Sequence, residues 1–277
     1  PVICNTGTPD ISITSPTTPS VLANLTFDVS VSLPAGIAGT GVAGSGITGA
    51  TAPFSVNTGT LTNSSNAIRT VTYTITPKLS GCANGTPQLI NVIVEPSPIA
   101  VVTNNSAAIC TGGTPNIDIT SPTSPNTPAN LTFDVVVSLP AGVTGTGIAA
   151  NGISGATAPI SINAGTLTHD NLSSGPLVVT YTITPKLAGC ADGTPVVTTV
   201  TVRPIPIGQF DNSTIVCSDD AFSYNIQTAN INQVNSVNSV FTYTVSSSDE
   251  AAIATPPALD RSVASNLPIS ATFTNLS

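Results

Sequence analysis

The sequence predicts an all-β chain built from tandem sandwich domains. Three observations carry that expectation: a strand-favouring composition, a repeat of whole-domain length, and period-two alternation inside each copy. Charged residues are only 6% of the 277 residues, against about 25% in typical soluble chains. Thr, Ser, Asn, Gly and Pro fill the space they leave. Hydrophobic residues still make up 40%, so low charge does not mean disorder, which pairs few apolar residues with many charges. Val, Ile and Thr dominate, and their branched Cβ atoms suit a pleated, half-buried surface. A prior of about 150 residues per domain allows two or three domains.

The repeat is the main signal. Residues 3–62 align without gaps on 109–168, and 71–99 align on 179–207 after a two-residue insertion between Asp170 and Gly175. About two-thirds of the aligned positions are identical. ANLTFDVSVSLPAG (23–36) matches ANLTFDVVVSLPAG (129–142), and VTYTITPKLSGCANGTP (71–87) matches VTYTITPKLAGCADGTP (179–195). A period of this length is too long for a solenoid and fits a complete sandwich. A divergent third copy begins near Ile207: SVFTYTVSSS (239–248) takes the place of LTFDVVVSLP, and SATFTNLS (270–277) resembles the start of VTYTITPKL. The expected domains are 1–98, 99–206 and a truncated 207–277.

Within a copy each strand follows from alternation. Leu25, Phe27, Val29, Val31 and Leu33 point one way and Thr26, Asp28, Ser30 and Ser32 the other. Val71, Tyr73 and Ile75 alternate with threonines, and a last strand runs over 88–95. One apolar and one Thr-rich face describes an antiparallel sheet with a single side on a core. Between them, residues 34–59 read as Gly-rich turns with short β pieces such as 54–57. About seven short strands per copy give an immunoglobulin-like sandwich. The linkers EPSPIAVV (95–102) and RPIPIGQF (203–210) carry spaced prolines that stiffen a connection, so the copies are expected to form an elongated array.

Five Lys and Arg and a net charge of -8 give phosphate binding nothing to work with, which excludes nucleic acid as a partner. No apolar run approaches the roughly 20 residues of a membrane span. The first residues, PVICNTGTPD, lack a signal-peptide pattern and read as the interior of a longer protein.

Cys4 and Cys82 recur as Cys110 and Cys190, and Cys217 repeats the first position alone. The simplest account is one disulfide per copy, Cys4–Cys82 and Cys110–Cys190, with Cys217 unpaired within these residues. Such bonds persist in oxidising compartments and would make the protein extracytoplasmic. Small buried thiols at repeated core positions are the alternative. The pairs lack close C-x-x-C spacing, so no metal site is expected there.

The block VTYTITP-K-L-x-GC-x-x-GTP, followed by V-x-V-x-P-x-P and preceded by a cysteine near the start of each copy, resembles the PKD-like repeat domains of Bacteroidota surface proteins. These occur in very large adhesins, including gliding-motility adhesins exported by the type 9 secretion system. The resemblance covers the first two copies and, weakly, the third. It implies an extracellular location, attachment to the outer membrane through other regions, and a stalk that projects an adhesive tip. Its partners would be neighbouring repeats of the same chain. Direct binding of a surface polysaccharide or protein, or assembly into a filament, are the alternatives.

No chemistry beyond this is expected: no catalytic residue, no cofactor and no bound metal. His169, the single histidine, reads as an exposed loop residue aligned with Asn63. Catalysis would need an orienting carboxylate and a nucleophile on a scaffold. Asp28 and Asp134 lie on the solvent faces of their strands without an EF-hand spacing, and Asp10, Asp118, Asp192, Asp219 and Asp220 read as turn carboxylates. Lys78 and Lys186 read as turn residues. The Gly-rich stretch 33–53 lacks the strand–helix context and lysine of a phosphate loop. With no Trp and four Tyr, no aromatic platform for a glycan is legible.

Overall fold

The computed structural model describes residues 1–19, 21–172, 175–210, 215–244, 260–263 and 269–272. In the first repeat the strands are β1 (Val2–Ile3), β2 (Ile11–Ile13), β3 (Leu25–Ser32), β4 (Ile37–Gly39), β5 (Ile47–Thr51), β6 (Phe54–Val56), β7 (Leu61–Asn63), β8 (Arg69–Leu79) and β9 (Gln88–Val94). The main sheet has the order β1-β9-β8-β3-β5, faced by the pairs β2-β6 and β4-β7. The second repeat has β10 (Val101–Asn104), β11 (Ala108–Cys110), β12 (Ile117–Thr120), β13 (Leu131–Ser138), β14 (Val143–Gly145), β15 (Ile153–Ala156), β16 (Ile160–Ile162), β17 (Leu167–His169), β18 (Leu177–Leu187) and β19 (Val196–Arg203). Its main sheet, β11-β19-β18-β13-β15, repeats the first, with β10-β12-β16 and β14-β17 opposite. The fold is all-β and of immunoglobulin type.

Alternation becomes burial as expected. Leu25, Phe27, Val29, Val71, Tyr73, Ile75, Val92 and Val94 are buried in one core, with Val31 and Leu33 packed against it. Phe133, Val135, Tyr181, Ile183, Val200 and Val202 are buried in a second. Each core closes within its own repeat. The β3–β8 ladder sets Phe27 opposite Pro77, Val29 opposite Ile75 and Val31 opposite Tyr73. A proline inside a strand is tolerated here because the Pro77 carbonyl accepts from the Gly85 N–H, 2.9 Å away. Its nitrogen therefore also faces away from β3, and no ladder bond is lost.

The Gly-rich middle is more ordered than turns alone. A five-residue helix, α1 (Gly41–Ser45), is matched by α2 (Gly147–Asn151). The buried Tyr73 hydroxyl donates to the Ala43 carbonyl at 2.6 Å, and Tyr181 does the same to Ala149 at 2.7 Å. Each tyrosine so uses its ring for the core and its hydroxyl to seat the helix. Burial pushes both phenols up to about 12.

In the third copy, β20 (Ala221–Tyr224) pairs antiparallel with β23 (Ile269–Thr272), and β21 (Phe241–Thr244) with β22 (Asp260–Val263). Among the described residues the pairing of β3 with β8 is not repeated between β21 and β23: β21 pairs with β22 and β23 with β20. The ends of both aligned segments, 245–248 and 273–277, lie outside the described residues. Among the described residues no helix is long and apolar enough to cross a membrane.

Candidate functional site: the joint between repeats

The cysteines do not pair as their spacing suggested. Cys4 is bonded to Cys190, with Cα atoms 5.5 Å apart, and Cys82, Cys110 and Cys217 are exposed free thiols. The strand register explains the difference. β1 runs parallel to β9, with Val2 opposite Ile93 and Ile3 opposite Val94, so Cys4 sits beyond the final residue of β9. Cys82 sits in the turn that leads into β9, at its first residue. Seven strand residues separate the two ends, about 23 Å at 3.3 Å each, and a disulfide needs Cα atoms within about 7 Å. The same holds in the second repeat, where Cys110 lies opposite Arg203 and Cys190 precedes Val196. The first cysteine marks one end of each sandwich and the turn cysteine the other. Neither is a buried core thiol.

Placing repeats end to end brings unlike ends together. The turn that carries Cys190 rests on the linker: a Cβ at Gly193 would meet the Pro98 carbonyl oxygen, so the GTP motif needs its glycine here. Polar contacts complete the seam. The Asn5 amide donates to Ser97 Oγ at 2.8 Å. The Ser124 N–H donates to the Asn66 carbonyl at 2.7 Å, and the Ile68 N–H to the Ser124 carbonyl at 3.2 Å. Glu95, 7% exposed, accepts the Asn126 N–H with both carboxylate oxygens at 3.2 and 3.1 Å. Thr123 Oγ1 accepts the Ile99 N–H at 3.0 Å, and Ser121 donates to the Ile99 carbonyl. The linker is strapped to the second repeat along its length.

His169 is buried, not exposed: it retains 1% of its surface. Its Nδ1 accepts the Asn171 N–H at 2.8 Å and its Nε2 lies 3.1 Å from the Gly175 carbonyl, which assigns the proton to Nε2. Asn63 does the equivalent work in the first repeat, donating to Ala67 and Val94 carbonyls and accepting from Ser65. Each side chain holds the loop after β7 or β17, and each loop meets the next repeat. Asn171, at φ 59° as asparagine tolerates, accepts the Ile205 N–H at 3.0 Å. Asn235 then donates to the Ile205 carbonyl at 2.8 Å and accepts from Ile207 at 3.3 Å. These asparagines gave no sequence signal, since Asn is common throughout the chain.

The two recurring lysines lie on strands, not turns. Lys78 pairs with Asp28, and Lys186 with Asp134 at 2.8 Å and Asp192 at 3.6 Å. Bonds from Lys186, Ser154 and the Gly155 N–H hold the Asp134 carboxyl down at about 2. Lys78 and the Gly49 N–H lower Asp28 likewise. Asp118 lies on β12, lowered by Ser161 and Asn105. Among the described residues, no group of three His, Cys, Asp or Glu is arranged to hold a metal ion.

Comparison with known proteins finds one domain-model match and several distant structural likenesses. The PKD-like domain family model matches residues 23–98. No curated protein is significantly similar to the chain. Domains 4 and 5 of the S-layer protein SbsC are 14% identical over 69% of this chain and 79% of theirs, with a TM-score of 0.22. Chicken VE-cadherin EC1-2 is 11% identical over 74% of this chain and 96% of its own, with a TM-score of 0.28. The sialic acid binding region of the Streptococcus sanguinis SK1 adhesin is 12% identical over 98% and 93%, with a TM-score of 0.27. No ligand or residue role passes from proteins this distant. Residues 23–98 are thus similar to PKD-like domains, within a chain whose fold is all-β and of immunoglobulin type.

Proposed function

We propose that this chain is a structural spacer of an extracellular surface protein, its repeats bolted end to end so that they hold a distant binding region away from the cell. The observation that supports this reading is the disulfide across the first joint. A bond within one repeat would stabilise that repeat; Cys4–Cys190 ties one repeat to the next. In the chain-entropy model a loop of this length contributes about 5 kcal/mol, shared by the pair. A disulfide also fits an oxidising compartment. The finer assignment, a gliding-type Bacteroidota adhesin exported by the type 9 system and held at the outer membrane, rests on the YTITP…GC block alone. On this reading the chain has no catalytic role.

The alternative, direct binding of a glycan or protein, looked to the Gly-rich loops for its contact surface. That segment is largely committed within the fold: α1 is seated by Tyr73, and Gly46 packs against the Val29 carbonyl. Small-angle scattering of the chain with and without reductant tests the spacer. Reduction, or Cys4→Ser, is expected to broaden the distribution of overall dimensions while each repeat keeps its circular dichroism. Unchanged scattering, or specific glycan capture on an array, would overturn it.

A further inference from the structure

The joint between repeats 1 and 2 is made of two parts, and the chain carries three more such parts unused. The first part is a cysteine turn. Gly7 donates to the Cys4 carbonyl at 2.9 Å, Gly113 to Cys110 at 2.9 Å, and Asp220 to Cys217 at 3.2 Å. In all three the residue two after the cysteine is left-handed: Thr6 at 64°, Gly112 at 79°, Asp219 at 67°. The second part is the hairpin turn. Cys82 donates to the Leu79 carbonyl and Cys190 to Leu187, both at 2.9 Å, and Gly81 and Gly189 share a φ of 80°. Gly85 and Gly193 then bond back to Pro77 and Pro185. Cys82 is thus presented as Cys190 is, and Cys110 and Cys217 as Cys4 is, yet all three are exposed and unbonded.

We infer that Cys82, Cys110 and Cys217 are open halves of further joints of the same kind, each completed by another copy of this repeat. Cys82 takes the first cysteine of a repeat seated on the N-terminal side; Cys110 and Cys217 take the turn cysteines of repeats on the other side. Pairing runs only between unlike halves, because like halves sit on the same end of the sandwich. Each closure removes two electrons and two protons from two thiols. Glutathione disulfide accepts them, its S–S bond breaking as the new one forms, and leaves as two reduced glutathione molecules. This rests on the Cys4–Cys190 joint described above.

The test duplicates residues 1–106 ahead of Pro1, which keeps the 106-residue register and sets the added copy of Cys4 against the original Cys82. Both the 277-residue chain and the extended one are refolded in a glutathione redox buffer, alkylated, and mapped by mass spectrometry without reduction. The 277-residue chain is expected to hold one disulfide and three thiols. The extended chain should hold two disulfides and still three thiols, the new bond joining the added Cys4 to the original Cys82. Five alkylated thiols, or a bond from the added Cys4 to the added Cys82, would overturn the inference while leaving Cys4–Cys190 intact. Absence of Cys4–Cys190 from the 277-residue chain would instead sink the spacer reading. A variant carrying Cys82→Ser in the original copy controls for chance pairing and should leave the added Cys4 reactive.

Discussion

The imidazole at 169 and the amide at 63 occupy one structural position and do one job, which makes their exchange informative. His169→Ala leaves the Asn171 N–H and the Gly175 carbonyl without partners in a buried site, at a cost of about 2 kcal/mol. His169→Asn keeps an acceptor and a donor and should recover most of that loss; thermal melts of the three proteins check both. Ionisation gives further tests at this scale. Asp134 has a folded pKa of about 2, below its ordinary 3.8, so its contribution is present above pH 4 and lost as pH falls toward 2. Asp134→Asn should flatten the acid limb of a stability–pH curve. Tyr73 and Tyr181 are shifted the other way, from 10 to about 12. Their contribution is complete below pH 10 and falls between pH 10 and 12, where the unfolded chain ionises first; alkaline denaturation should steepen there, and less so in Tyr73→Phe.

Elements show what composition can and cannot reveal. The long strands β3, β8, β13 and β18 were legible because Leu, Phe, Val, Tyr and Ile fall on every second residue and one face must be dry. The helices α1 and α2 were not, since five residues give no period and glycine argues against helix. Tertiary contact overrides propensity here: the tyrosine hydroxyl below and the close backbone around the segment specify it. Gly46 has φ 71°, and a Cβ there would lie 2.0 Å from the Val29 carbonyl oxygen. Gly46→Ala should therefore cost more than about 3 kcal/mol, as should Gly152→Ala, whose Cβ would lie 2.1 Å from Val135. Chemical denaturation measures both. Gly49 and Gly155, with nothing within 4 Å, are the comparison sites and should lose only the cost of a positive φ.

Across the whole molecule, repetition was plain in the sequence, while the way copies are fastened was not. Spacing counts residues along the chain, and the ends of a sandwich are set by strand direction. Only the parallel register of β1 on β9 reveals that Cys4 and Cys82 lie at opposite ends. The fastening has a mechanical result. Pulled from either end, tension leaves the backbone at Cys4, crosses one sulfur–sulfur bond and rejoins at Cys190, so the polypeptide between them hangs slack beside the line of pull. The first core is so shielded from the load, while the second still has β19, with its buried Val200 and Val202, in the line of pull. Cutting that bypass would release 186 residues, about 650 Å of new contour, in a single-molecule stretching trace.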